Sequence, residues 1–600
     1  MTHQTSLDIS PLPLWDLSDL YSAMDCPELK QDMIRLEKLG NEFSRDFKGR
    51  LSTLNAGEIL DSVTRYEVME EITGRIMSYA GLLHAGDVND SDISRFYQSC
   101  HEEITRISTK TLFYTLEINR LEQEQIDQWL DSSIKLARYR PWFEKIREYR
   151  PHQLAGRLEE LLLEKSVSGR AAWVRLFDET MANMKFDFRD PESDETTSIG
   201  TEQALDYLSD PQQDRRKAAA DCLSDSFKAN IRLFTHITNT LAKDKEIEDR
   251  WRQFEDPASS RHLSNQLEKH VVDALVTAVK DACPRLSHRY YRLKARWFGK
   301  DRLDWWDRNA PLPDMDNRIY QWSDARNIVL QAYGDFSPEM AEIGQKFFDN
   351  NWIDAPVREG KSPGAFAHPT VPDVHPYLLL NYLGKSRDVM TLAHELGHGV
   401  HQIMAGPQGA LLSDTPLTLA ETASVFGEML TFQSLLSHEK DARKRKIMMA
   451  SKVEDMLATV VRQVAFYDFE EKVHTARKNG ELSADDLGDI WMATQRESLG
   501  DAIHLDDNYR TFWCYIPHFI HSPFYVYAYA FGDCLVNSLY ASYRSNPDGF
   551  QEKYFTMLRA GGSMRHKALL RPFGLDAGNP DFWQTGLSVI SDLIDEIEKT

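Results

Sequence analysis

Residues 388–404 read DVMTLAHELGHGVHQIM. Leu392, Leu396, Val400 and Ile403 recur at three- and four-residue intervals, which lays apolar side chains along one stripe of an α-helix. Ser386 or Asp388 is placed to cap its start. On such a helix His394 and His398 stand one turn apart on a shared face, so both imidazoles can bind a single ion. Glu395 projects beside them, placed to reach a water on that ion rather than the ion itself. Gly397 and Gly399 thin the backbone between and beyond the histidines. This is the HExxH arrangement inside an amphipathic helix.

Catalytic zinc takes three protein ligands and keeps a fourth position open. Downstream, residues 414–430 read DTPLTLAETASVFGEML. Thr415 can cap a second helix there and Pro416 suits its first turn, so Glu421 falls between one and two turns in. The 22 residues between His398 and Glu421 hold a loop and a returning helix, and a carboxylate on that helix can complete the site. His401 shares the face of His394 but lies a further turn away, too far for ordinary tetrahedral geometry; it is read as a neighbour and rival ligand. Glu428, seven residues beyond Glu421, is a candidate to orient a ligand histidine, or an ordinary helix-face carboxylate.

Upstream, residues 356–387 read PVREGKSPGAFAHPTVPDVHPYLLLNYLGKSR. Proline and glycine forbid a helix through 360–376, whereas Tyr377–Tyr382 is short and apolar, as a buried strand is. Elsewhere the helical period dominates: 55–85, 92–120, 122–137, 153–183, 212–246, 264–297 and 323–350 carry it. Pro151, Pro211 and Pro257 punctuate these segments, and Pro284 splits or kinks the one it sits in. Residues 184–200 alternate briefly and then turn acidic, predicting a hairpin or exposed loop. An N-terminal helical region is drawn over 1–200 and a catalytic region over 201–600, with lobes free to mix both. The fold class is mainly α.

With 93 acidic against 70 basic residues the net charge is −23. Such a surface repels nucleic acid and anionic lipid, which need cationic patches, so neither is expected as a partner. Six cysteines are scattered without a CxxC pair, which predicts reduced thiols rather than a disulfide frame. No basic and apolar leader opens the chain, and nowhere do about 18 apolar residues run together. The expected location is the cytoplasm.

The ordered set PYLLLNY…DVMTLAHELGHGVH followed by AETAS resembles the oligoendopeptidase F branch of the thimet oligopeptidase family of zinc peptidases. WDLSDLY (15–21), RPHQL (150–154), SRHLSNQLEKHVVDAL (260–275), GKSPGAFA (360–367), IPHFIHSPFYVYAYAFG (516–532) and RAGGS (559–563) carry the likeness along nearly the whole chain. The resemblance implies a two-lobed helical molecule with a deep substrate channel, one zinc ion per chain on its floor, and a small β element near the site. It implies cleavage of internal bonds in short peptides, with Glu421 as third ligand and a His and one or two Tyr of 516–532 as oxyanion donors. These map to His518, Tyr525 and either Tyr527 or Tyr529. Ser522–Pro523 reads as a helix start, with His518 in the loop before it; Tyr525 and Tyr529 then share a face that Tyr527 leaves. Gly364, Ala365, Phe366, His375 and Tyr377 are read as channel wall.

Two other readings stay open. An exopeptidase of dipeptidyl carboxypeptidase type uses the same chemistry, although no charged anchor for a chain end is identifiable. A non-catalytic peptide-binding relative is free to lose Glu395, yet Glu395 stands here with both histidines and Glu421. His₂Glu suits several divalent ions; the resemblance points to zinc. The sequence does not set the oligomeric state.

Overall fold

The computed structural model describes residues 11–312 and 318–599. Among the described residues helices dominate, and seven short strands accompany them: β1 (Phe186–Arg189), β2 (Thr196–Ile199), β3 (Leu303–Asp304), β4 (Ile353–Asp354), β5 (Phe366–His368), β6 (Tyr377–Leu379) and β7 (Ile503–His504). The chain forms two compact, discontinuous units. The first comprises the described residues of Met1–Arg150, Asn317–His438 and Ser542–Leu575; the second those of Pro151–Asp316, Glu439–Ala541 and Asp576–Thr600. Each unit therefore draws on both sides of the line at 200.

In the first unit the helix Ala56–Gly86 opens on a capping box written in the sequence as NAGE. Asn55 Oδ1 accepts from the Gly57 and Glu58 amides at 2.9 and 3.1 Å, and Glu58 returns a carboxylate to the Asn55 amide at 2.9 Å, satisfying donors a helix start otherwise leaves open. Its apolar face packs on Pro27–Phe47 and Ser91–Ser108 around Leu36, Phe43, Val63 and Ile76. The period over 92–120 is one stripe across two helices, since the chain turns between Ser108 and Phe113. Likewise 323–350 is two helices, Trp322–Phe336 and Pro338–Asp349, because Pro338 starts the second.

The small sheet of this unit has the order β4-β6-β5, with β4 parallel and β5 antiparallel to β6. Lys361 fastens it. Its side chain is fully buried, and Nζ donates to Asp354 Oδ1 at 2.6 Å and to the carbonyls of Asp354, Pro356 and Leu380 at 3.0, 2.9 and 2.5 Å. Arg358 also reaches Asp354. A buried ammonium is tolerated only with partners of this kind, and removing it strands an uncompensated carboxylate. Lys361→Met is expected to destabilise the protein by about 3 kcal/mol in urea unfolding, because Arg358 compensates Asp354 only in part.

The second unit is built on the long helix Gln213–Trp251, which packs on the β1–β2 hairpin and on the 3-10 segment Asp507–Tyr515. Pro284 splits its segment: Lys269–Ala282 and Ser287–Trp297 flank a 3-10 turn, Cys283–Arg285. Arg216, almost wholly buried, is held by two hydrogen bonds to Asp307, at 3.0 and 2.7 Å. All six cysteines are buried free thiols. No helix among the described residues is long and apolar enough to cross a membrane.

Candidate metal centre

The motif helix runs Ser386–Ala405. Ser386 is its first residue, not its cap; Asp388 fixes the entry from inside the first turn, accepting from the Leu383 and Lys385 amides at 2.9 Å each. Leu392, Leu396 and Val400 are fully buried. The returning helix spans Leu417–His438, opening just after Pro416, and the Thr415 hydroxyl lies 3.4 Å from His401 Nε2. Gly397 lets the two helices touch backbone to backbone: a Cβ there would stand 2.4 Å from the Ala423 carbonyl oxygen and 2.7 Å from Ser424 Cα. Tyr333 locks the pair from the side, donating to the Ala393 carbonyl at 2.5 Å while its hydroxyl occupies the space a Cβ of Gly427 would need. The RAGGS segment backs the connection, with the Gly562 amide donating to the Leu412 carbonyl at 2.8 Å and its Cα against the Asp414 carbonyl.

This packing brings His394, His398 and Glu421 together, one ligand atom of each lying within 4.8 Å of the others. Glu421 Oε2 is 3.3 Å from His394 Nε2 and 3.5 Å from His398 Nε2. Metal bonds of about 2.0–2.2 Å place neighbouring ligand atoms of a tetrahedral zinc site about 3.3–3.6 Å apart, so the donor types and the spacing of Glu421 from each histidine fit that ion. His394 Nδ1 faces Glu428 Oε2 at 3.2 Å, which leaves Nε2 for a metal. Ser424 Oγ donates to Glu421 Oε2 at 2.7 Å and holds the carboxylate's orientation. His401 is buried and stands outside the cluster.

Electrostatics separate the two glutamates. Burial raises the Glu421 carboxyl, but hydrogen bonding to His394 and the charge of both histidines more than reverse this, to about 2. Burial likewise lowers His394, yet its bonds to Glu421 and Glu428 carry it up to about 10, so a proton must leave as a metal enters. His398 is pushed down to about 4, chiefly by burial. Glu395 is only 8% exposed, and burial lifts it to about 7, against the opposing pull of His394 and the Ala367 amide. Burial thus holds Glu395 close to neutrality beside the His394–His398–Glu421 cluster.

A cavity of about 920 Å³ opens within the first unit beside His398, His401 and Gln402 and extends to Trp352 and His375. His375 lines it, stacked on Trp352 with ring centroids 3.7 Å apart and bonded to Asp19 at 2.8 Å. Phe366 lies in β5, Gly364 and Ala365 in the turn before it, and Gly364 has a φ of +81° that favours glycine. Tyr377 does not line the cavity: it is fully buried, donating to the Asp16 carbonyl at 2.7 Å.

His518, Tyr525 and Tyr529 form a group within the second unit. His518 Nε2 is 3.3 Å from the Tyr529 hydroxyl, and the Tyr525 and Tyr529 rings meet edge to face at 5.2 Å. Tyr527 points away into the core, its hydroxyl held by Asn265 at 2.9 Å and His262 at 3.1 Å. The local helix differs from the sequence reading: His518 begins a single turn, His518–His521, and the next helix starts only at Tyr527. Between them Phe524 takes a φ of +61°, which costs a bulky residue strain. Glu470 secures it, accepting from the Phe524 amide at 2.8 Å, while Arg261 donates to the Pro523 carbonyl and Arg170 to those of Ile520 and His521. No local signal announces Glu470, 54 residues from the amide it holds.

Glu470 is 2% exposed, and burial raises its carboxyl to about 8 despite the Phe524 amide and the charges of Arg261 and Lys245. Between the ordinary glutamate range and pH 8 the unfolded chain is ionised while the folded one keeps its proton. Stability therefore falls as pH rises through that window, and the loss is complete above it. Glu470→Gln, which mimics the protonated form, is expected to match the wild type near pH 4.5 and exceed its stability above pH 8 by about 3 kcal/mol, as read by urea unfolding at both pH values.

The model of peptidase family M3 matches residues 207–589, and that of oligopeptidase F matches residues 117–186. Oligopeptidase PepF of Bacillus subtilis is 24% identical over 98% of this chain and 87% of its own length. An oligoendopeptidase F homolog of Borreliella burgdorferi is 26% identical over 98% of each. Among solved structures, a putative peptidase from Chlamydophila abortus superposes with a TM-score of 0.86 at 23% identity, covering 99% of both chains. Oligoendopeptidase-F from Enterococcus faecium gives 0.73 at 22%, covering 96% of this chain and 99% of its own.

Proposed function

Since the chain belongs to peptidase family M3, we propose that it is a zinc-dependent endopeptidase that hydrolyses internal bonds of short oligopeptides. The observation that carries this reading is the convergence of His394, His398 and Glu421, with Glu421 3.3 and 3.5 Å from the two histidines, beside buried Glu395 next to His394 on the same helix. Zinc held there supplies Lewis-acid chemistry, acidifying water and polarising a carbonyl. Glu395 takes the proton of the attacking water and returns it to the leaving amine. Glu428 and Ser424 keep His394 and Glu421 in their liganding orientations.

The edge position of β5 in the sheet supports binding of an extended peptide along that strand, and the cavity beside His398, at about 920 Å³, is large enough to take part of a peptide. The assignment of His518, Tyr525 and Tyr529 as oxyanion donors rests on the resemblance in IPHFIHSPFYVYAYAFG and on their mutual contacts. Tyr527, with its hydroxyl committed to Asn265 and His262, is left out of that role. Six unpaired buried thiols suit a reducing compartment, the cytoplasm.

Product analysis on an internally quenched peptide of about eight residues with both ends blocked tests the mode of cleavage. Internal cleavage is the expected outcome. Turnover only of peptides with a free terminus would replace the endopeptidase by an exopeptidase of the same chemistry.

A further inference from the structure

The stretch SRHLSN (260–265) grips alternate residues of Pro523–Tyr527 from the short helix Ser259–Ser264 and the residue after it, all within the second unit. Arg261, half-buried, donates from Nε to the Pro523 carbonyl at 3.2 Å, and its guanidinium carbon lies over the Tyr525 ring, 5.7 Å from the centre. His262 and Asn265, almost wholly buried, hold the Tyr527 hydroxyl at 3.1 and 2.9 Å. Tyr527 is thus an anchor fixed in the core. Between the two grips Phe524 keeps a φ of +61°, a conformation that a bulky residue holds only where its surroundings impose it.

Tyr525 sits in this link, ahead of the helix that starts at Tyr527. Its amide donates to the Ser522 carbonyl at 3.0 Å and its carbonyl accepts from Ala528 at 2.9 Å, which fixes the backbone but leaves the ring to its neighbours. His518 lies nearly parallel to that ring at 6.3 Å and Tyr529 edge-on at 5.2 Å. Arg261 joins the ring to the backbone of the link. A guanidinium does both at once, because its N–H groups lie in its plane and its flat, charged face can lie against a π system.

We propose that Arg261 is a positioning residue for peptide hydrolysis, holding the Tyr525 ring in the orientation from which its hydroxyl donates to the oxyanion. The inference rests on the reading of Tyr525 as an oxyanion donor and names the side chain through which that donor is set. A donor aligned in advance stabilises developing charge without reorganising. A ring released from Arg261 loses part of that gain in the transition state, while the peptide in the ground state binds as before.

The test is a double-mutant cycle of Arg261→Gln and Tyr525→Phe in the zinc-loaded full chain, read on a capped oligopeptide. Tyr525→Phe is expected to lower kcat about a hundredfold. Arg261→Gln is expected to lower it about fivefold or more, with KM within about threefold of wild type. In the Tyr525→Phe background the same change is expected to cost about twofold or less, because the hydroxyl it sets is already gone. If Arg261→Gln does not fold, Arg261→Lys, which keeps the charge but not the plane, is read against the same limits. A smaller loss in the wild-type background, a larger one beside Tyr525→Phe, or an effect confined to KM overturns the proposal and leaves the donor role of Tyr525 standing. Full activity of Tyr525→Phe itself overturns the donor reading, and the proposal with it.

Discussion

Glu395→Gln is expected to lower kcat on a capped oligopeptide by about two to four decades while leaving the zinc content at the wild-type level. The side chain is 8% exposed and is not among the three groups whose ligand atoms converge. The amide keeps its size and polarity but cannot take up a proton. Loss of rate without loss of metal is therefore the signature of a base, and loss of both would mark Glu395 as part of the binding site instead. Unchanged activity in the variant would move the chemistry elsewhere in the chain.

Gly397→Ala is expected to damage the same site through packing alone. The added methyl would meet Ala423 O at 2.4 Å and Ser424 Cα at 2.7 Å, both backbone, so no side chain can swing aside. The motif helix and the returning helix must part by on the order of 1 Å, at a cost of about 1–3 kcal/mol. Glu421 then moves relative to both histidines, and a displacement of that size costs about a hundredfold in rate. Zinc affinity, kcat/KM and Tm should fall together. Gly480→Ala, where a Cβ meets nothing within 4 Å, is the control and should change none of them.

What the sequence makes legible here is what local physics determines. The helical period of 388–404 is set by residues within the helix itself, and the spacing of His394 and His398 follows from the pitch. Pro284 marks a split because proline removes a donor wherever it sits. The readings that differ depend on distant partners. Ser522–Pro523 suggests a helix start, but Glu470 holds the Phe524 amide in a left-handed conformation and delays the helix to Tyr527. Tyr333 grips Ala393 from 60 residues upstream, and Lys361 is one residue of a glycine- and proline-rich stretch until Asp354 and Leu380 surround it. Tyr377, read from its sequence context as channel wall, is instead fully buried by tertiary packing. The facing of Glu428 towards His394 is of the same kind, since it depends on how closely two helices pack at Gly397.

The central claim, that His394, His398 and Glu421 hold a catalytic zinc ion, is tested most directly by zinc binding to wild-type and Glu421→Gln protein at equilibrium. The account predicts one tightly held zinc per wild-type chain, and a loss of affinity of about two decades or more when the carboxylate is replaced. A wild-type chain without stoichiometric zinc, or a variant that binds it equally well, would contradict it.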